Sequence, residues 1–292
     1  MGDLRIVVGG VGLQVRDDGG QKEAILFLHY GGGNLMMWEP VVPYFRDTHR
    51  CVRLDLRGHG HSDAPPAGYA LEDMAGDVAG VLDALHIDCA HIVGSSLGAE
   101  VGLALAAAHP QKVQSLVCDG AFHSEYGPYG IHEAVDVSVD EEVRSQLAAG
   151  RAKPESTYDS AEALIGEARS DAESWGTWNE SMAAVAAYNA LELDDGRIVH
   201  AWRKWARDEY TDHYFAARFE EYYAALECPV VILPGEREAA DVMISDAMTG
   251  FSRLADRCQI VHVAGAIHPF GWLSIPEAMS EAVLDFLAEL RE

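Results

Sequence analysis

Basic residues are scarce in this chain. Lysine and arginine number 21 against 47 aspartates and glutamates, only four of the 21 are lysine, and the formal net charge is −26 at pH 7. Binding to nucleic acid or to an anionic membrane surface rests on Lys and Arg neutralising phosphates, so the composition argues against both partners. Cysteine is also sparse: Cys51, Cys89, Cys118, Cys228 and Cys258 are scattered, odd in number and without a Cys-x-x-Cys pair. They read as small apolar residues beside strands, and no thiolate metal site is expected from them. No apolar run approaches the ~18 to 20 residues that a helical membrane span needs. Met1-Gly2-Asp3-Leu4-Arg5 leads directly into a strand-like segment instead of a secretory apolar region, which reads as cytoplasmic. No Gly-x-Gly-x-x-Gly follows the first strands and no Walker-type Gly-Lys-Ser occurs, so no nucleotide cofactor is implied.

What is present is apolar content of 49% in 292 residues, ample for one α/β core carrying an insertion. Leu4 to Val8 and Val11 to Arg16 resemble a hairpin around Gly9-Gly10. Ala24 to His29 reads as a buried strand, Met37 to Arg46 as a helix, Cys51 to Leu56 as a strand, Leu71 to Leu85 as a helix, Ala90 to Val93 and Val113 to Cys118 as strands. That alternation predicts a mostly parallel sheet covered on both faces. From 122 to 226 only helical patterns are visible, and 15 of the 25 aromatic residues fall there. Strands resume at Pro229 to Leu233 and Gln259 to Val263, and a last helix runs from Pro276 to Leu290. The division expected is therefore a core of residues 1–121 and 227–292, with 122–226 as a helical cap whose aromatics either pack or line a pocket.

The chemistry concentrates at Gly94-Ser95-Ser96-Leu97-Gly98. An apolar strand enters it, and Ala99 to Ala108, rich in strong helix formers, leaves it before Pro110. In a strand-to-helix turn this sharp, glycines let the helix close on the strand while Ser96 stands exposed as a nucleophile.

With His29-Tyr30-Gly31-Gly32-Gly33, Asp55-Leu56-Arg57-Gly58-His59-Gly60-His61-Ser62 and Gly265-Ala266-Ile267-His268, each after an expected strand, this chain resembles the α/β-hydrolase superfamily over nearly its whole length. The likeness is to the capped serine-nucleophile branch of esterases, lactonases and carbon–carbon bond hydrolases. It implies an α/β-hydrolase fold with a mostly parallel eight-stranded sheet flanked by helices and the cap inserted after strand 6.

It also implies roles. A serine hydroxyl needs a base, and the order Ser, acid, His in the superfamily makes His268 that base; His262, inside the strand pattern, reads as structural. Glu238 occupies the place where the superfamily usually puts its acid, and Asp119, at the end of the strand before the cap, is the alternative, with Glu236 and Asp241 behind them. The backbone N–H groups of Gly31 and Leu97 would form the oxyanion hole. Tyr30 stands where relatives usually have glycine; its phenol either reaches the pocket or its ring covers the sheet end. Trp175, Trp178 and Trp202 are the cap residues expected to face substrate. His59 and His61 belong to a turn, and neither a metal nor any other cofactor is expected.

The activity this implies is a cofactor-independent serine hydrolase acting on an ester, lactone or thioester of a small apolar or aromatic substrate. A carbon–carbon bond hydrolase or lyase with the same triad, or a small-ligand binding protein on the same fold, is the alternative. A homodimer through the core edge or the cap is compatible with this size.

Overall fold

The computed structural model describes residues 2–291. Its centre is an eight-stranded sheet in the order β1-β2-β4-β3-β5-β6-β10-β11. β1 (Gly2–Val8) and β2 (Val11–Asp17) form an antiparallel hairpin, and β2 runs antiparallel to β4 (Arg50–Leu54). β3 (Ala24–Leu28), β4, β5 (Ala90–Ser95), β6 (Val113–Asp119), β10 (Val230–Ile232) and β11 (Cys258–Ile260) are parallel neighbours. The five residues of β3 are all apolar and all buried, as a central parallel strand covered on both faces requires.

Side-chain alternation splits the core in two. Leu26, Leu28, Ile92 and Leu116 face a cluster completed by α1 (Leu71–Ala84), α2 (Leu97–Ala108), α7 (Phe219–Ala224) and α9 (Val242–Leu254). Ile25, Phe27, Val93 and Val117 face the other, closed by Trp38, Phe45, α10 (Gly271–Ser274) and α11 (Pro276–Glu289).

Two expectations fail for local reasons. Met37 to Arg46 is not one helix but two 3-10 turns, Leu35–Trp38 and Val42–Tyr44. Pro40 and Pro43 remove N–H donors and interrupt the i to i−4 ladder. The segment between β6 and β10 is not wholly helical either. Besides α3 (Glu141–Ala152), α4 (Ala161–Ser174), α5 (Glu180–Tyr188), α6 (Lys204–Ala216) and α7, it carries a small antiparallel sheet in the order β7-β9-β8. These strands, β7 (Thr157–Tyr158), β8 (Ala190–Glu192) and β9 (Ile198–His200), are two or three residues long, too short to leave a periodic signature. The sign was the turn Asp194-Asp195-Gly196, where Gly196 takes φ 82° between Leu193 and Arg197, which pair through Leu193 N–H at 2.8 Å.

This inserted segment touches the loops at the C-terminal ends of the core strands. Asn189 Nδ2 donates to the Gly32 carbonyl at 2.8 Å, Tyr188 Oη to Asp55 at 3.0 Å, and Tyr210 Oη to Glu100 at 2.7 Å. The candidate site lies at these loops. Among the described residues no helix is long and apolar enough to cross a membrane.

Candidate active site

β5 ends at Ser95 and α2 begins at Leu97, which leaves Ser96 alone in the bend with φ 50° and ψ −119°. A non-glycine residue held there costs on the order of 1–3 kcal/mol and persists only where its surroundings fix it. The fixing is visible: Ser96 N–H donates to the Asp119 carbonyl at 2.5 Å, and Ala99 N–H to the Ser96 carbonyl at 2.8 Å. A Cβ on Gly94 would strike the backbone of Gly98 and Ala99, and one on Gly98 the carbonyls of Leu28 and His29.

The sheet register sets Ser95 opposite Asp119 on β6, so the end of that strand lies beside the bend. Asp119 is 2% exposed. Its Oδ1 accepts from His268 Nδ1 at 2.7 Å, and its Oδ2 accepts from Ser95 Oγ at 2.8 Å and Trp272 Nε1 at 2.7 Å. A carboxylate only accepts, so His268 carries its proton on Nδ1 and presents Nε2 as a lone pair. Burial of the ring pulls its pKa down, but the charge and hydrogen bond of Asp119 outweigh this and the net shift is upward from the ordinary 6.5. The Phe122 ring meets the imidazole edge-on, centroids 5.1 Å apart.

His268 thus pairs with Asp119, the alternative acid, and not with Glu238. Glu238 sits in α8 (Glu236–Ala240), where its carboxylate folds against Gly235 near the backbone of His268 and adds only a through-space charge to the ring. Glu236 Oε1 accepts from Gly265 N–H at 2.8 Å, and Asp241 caps α9 through the N–H groups of Met243 and Ile244. Residues after β10 are drawn into helix starts and caps, whereas an aspartate ending β6 needs no reach. Ser95 and Trp272, which hold Asp119, escaped the sequence reading; the doubled serine in the bend and the chain's alternation along β5 were the available signal.

Leu97 opens α2, so its N–H has no intrahelical partner, and Gly31 lies in a turn closed by Gly33 N–H to the Tyr30 carbonyl at 2.8 Å. Among the described residues neither the Gly31 nor the Leu97 N–H donates to a protein backbone carbonyl. His29, fully buried and with its pKa pushed down to about 4 by desolvation, ties the loops together: its Nδ1 donates to the Tyr30 carbonyl at 2.8 Å and its Nε2 accepts from Leu56 N–H at 3.0 Å. Asp55 does the same for the next turn, accepting from Leu35 N–H at 2.7 Å and His61 N–H at 2.9 Å, while burial raises its pKa to about 6. Glu100, one helical turn beyond Ser96, is buried as well, and desolvation pushes it up to about 7 against the hydrogen bond from Tyr210.

A cavity of about 220 Å³ lies between the inserted segment and these loops, its walls including Tyr30, Trp175, Trp178, Met182, Ala186 and Phe270. Tyr30 meets Phe270 edge-on at 5.8 Å, so its ring belongs to the wall. Trp175 is at the rim with the Arg237 guanidinium 4.1 Å over its ring. Trp202 is placed differently: its ring covers Gly31 and Gly32 and stacks on His59 at 4.8 Å, outside the cavity wall. His61 stacks on Tyr188 at 4.0 Å, away from His59, and His262 lies beyond the end of β11.

Comparison with known proteins agrees with this architecture. The alpha/beta hydrolase fold family matches residues 23–151. The solved E-2-(acetamidomethylene)succinate hydrolase superposes with a TM-score of 0.77 at 25% identity, covering 98% of each chain. The chain has the α/β-hydrolase fold.

The chain is 35% identical over 147 residues to the dihydrolipoyllysine-residue acetyltransferase component of the acetoin cleaving system of Cupriavidus necator, covering 50% of this chain and 37% of that one. It is 36% identical over 132 residues to the 2-(acetamidomethylene)succinate hydrolase of Mesorhizobium japonicum, covering 45% of each. The match thus spans less than half the length of these curated relatives.

Proposed function

We propose that this chain is a cofactor-independent serine hydrolase that cleaves an ester, lactone or thioester of a small neutral, apolar or aromatic substrate. The observation that carries the reading is the His268–Asp119 hydrogen bond beside a serine held in a strained bend. Ser96 Oγ attacks the carbonyl carbon while His268 Nε2 takes its proton, and Asp119 stabilises the imidazolium. The N–H groups of Gly31 and Leu97 receive the charge that develops on the carbonyl oxygen. His268 then protonates the departing oxygen or sulfur, activates a water against the acyl-enzyme, and returns the proton to Ser96 as the acid leaves. Segment 122–226 serves as the cap that shapes the substrate cavity.

Charge supports the neutral substrate. Among the described residues that line the cavity there is no lysine or arginine, and the one histidine, His200, is held neutral by burial, its pKa lowered to about 4. Arg237 stands only at the rim, over Trp175, so a substrate carboxylate inside the cavity would have no cationic partner, which is strongly unfavourable.

Two measurements test this together. A fluorophosphonate is expected to add once to the wild type and not to Ser96→Ala, read by intact mass. p-Nitrophenyl butyrate and benzoate are expected to exceed p-nitrophenyl hemisuccinate at least about tenfold in kcat/KM, the scale of one unpaired buried polar group or more. Absence of an adduct overturns the serine-hydrolase reading, and a preference for the hemisuccinate overturns only the neutral-substrate part.

The pH dependence has a definite sign. His268 must be neutral to act as base, and its pKa lies above 6.5, so kcat/KM falls on the acid side with a midpoint above 6.5. For stability the same shift works in reverse: the charged pair contributes fully below the unfolded value, and that contribution is lost as pH rises through the folded value. A pH–rate profile with its acid midpoint at or below 6.5 contradicts the pairing.

A further inference from the structure

The opposite end of the sheet holds a second cluster of chemistry-bearing side chains. On β3, β4, β5 and β6, the residues Ile25, Phe27, Cys51, Val93 and Val117 all point into one apolar cluster. By the two-residue alternation of strands, Glu23, His49, His91 and Ser115 occupy that same face, where the strands begin. His49 and His91 are each 3% exposed, whereas Glu23 is exposed at the mouth. One ligand atom from each of Glu23, His49 and His91 lies within 4.8 Å of the other two.

The hydrogen bonds fix which atoms are free. Thr48 Oγ1 donates its only proton to the Phe45 carbonyl at 3.2 Å, so it accepts from His49 Nδ1–H at 2.9 Å. His49 Nε2 is then a bare lone pair, fully buried and without a partner among the described residues. His91 engages Ser115 Oγ through Nδ1 at 2.8 Å, which leaves Nε2 as the ring nitrogen open to a ligand. A hydroxyl behind each imidazole is the outer support that metal-ligating histidines use to fix tautomer and ring orientation. The third member, Glu23, is occupied only at the surface, by Arg291 at 2.6 Å and Gln114 at 3.5 Å.

We infer that Glu23, His49 and His91 form a binding site for a divalent transition-metal ion of the zinc class, with water completing the coordination. Two imidazole nitrogens and one carboxylate oxygen suit zinc, nickel or copper, and do not suit magnesium or calcium, which take oxygen ligands. Bonds of about 2.0–2.1 Å bring tetrahedral ligands to about 3.4 Å from one another, so separations within 4.8 Å must contract by up to roughly 1.4 Å. The exposed Glu23 can supply that movement on leaving Arg291. The ion joins the beginnings of β3, β4 and β5, at the end of the sheet remote from Ser96, so its role is structural. Glu23 and His91 are 68 positions apart in the chain, and only the register of the strands brings them together.

The test uses the full chain, free of any histidine tag and stripped with chelator. Titration calorimetry with zinc chloride is expected to show one equivalent bound, and saturation to raise the Tm by about 5 °C. Cobalt(II) in place of zinc should give visible absorption bands of tetrahedral intensity. Glu23→Gln should weaken binding at least about tenfold and His49→Gln abolish it, while Arg291→Ala tightens it and His268→Ala leaves it unchanged. Esterase turnover of Glu23→Gln should equal that of the wild type. No stoichiometric binding, or binding unchanged by Glu23→Gln, overturns the inference; because Glu23 is exposed, that variant decides the matter even if His49→Gln does not fold.

Discussion

Asp119→Asn is expected to lower kcat for ester hydrolysis about 10⁴-fold, while Glu238→Gln stays within about threefold of the wild type. The first figure follows from what the amide does to the imidazole. An asparagine side chain offers an NH₂ as well as a carbonyl, and Ser95 Oγ and Trp272 Nε1 are already donors aimed at the Oδ2 position. The amide oxygen therefore turns toward those two donors. Its NH₂ then faces His268 Nδ1, which must accept and so loses its proton to Nε2, the atom that has to receive the proton of Ser96. The imidazolium formed in the reaction also loses its counter-charge, and the acid limb of the pH–rate profile moves down, because the Asp119 contribution that raises the His268 pKa is gone. Glu238 acts on His268 only through space, from a half-buried side chain in α8. Steady-state kinetics of the two variants, with fluorophosphonate labelling rates beside them, separate the carboxylates. A larger loss in Glu238→Gln would mean that the acid changes hands when substrate binds.

Why the sequence led to Glu238 is a matter of which signals travel along the chain. The bend at Ser96 was legible because its requirements are local: apolar strand, glycines at 94 and 98, helix formers after 98. His268 was legible because a Gly-Ala turn precedes it after a strand. The partner of His268 depends on neither, but on the register of β5 with β6, which sets Ser95 opposite Asp119, and on Trp272 arriving from α10. No pattern in one strand encodes the row it shares with another. The same limit hid the Glu23, His49 and His91 cluster, and the opposite limit hid β7 to β9, whose strands are too short for a period to show. The tryptophans divide in the same way: composition placed Trp175, Trp178 and Trp202 in the inserted segment, but only packing puts two of them on the cavity and the third over Gly31.

Gly98→Ala should prevent stable folding or cost more than about 4 kcal/mol, a drop of roughly 10 °C in Tm. The methyl group would press on the carbonyls of Leu28 and His29, the latter at 2.9 Å, and these are backbone atoms at the end of the central strand. They can retreat only by pulling β3 away from β5, to which it is paired from Ala24 through Leu28. Two other glycines show that the effect belongs to the bend and not to glycine in a helix. In the same helix, Gly102→Ala would meet Leu116 Cδ1 at 2.8 Å and Ile92 Cγ2 at 3.3 Å, side-chain ends that can turn aside, and alanine's helix preference of about 1 kcal/mol offsets the crowding. That variant should fall within about 1 kcal/mol of the wild type. Gly76→Ala, on α1 with nothing within 4 Å, should be more stable by about 0.5–1 kcal/mol. Urea and thermal unfolding of the three variants give the ranking. A Gly98→Ala protein that melts with the wild type would mean that the strand-to-helix junction is plastic, and the strained Ser96 conformation would then need another cause.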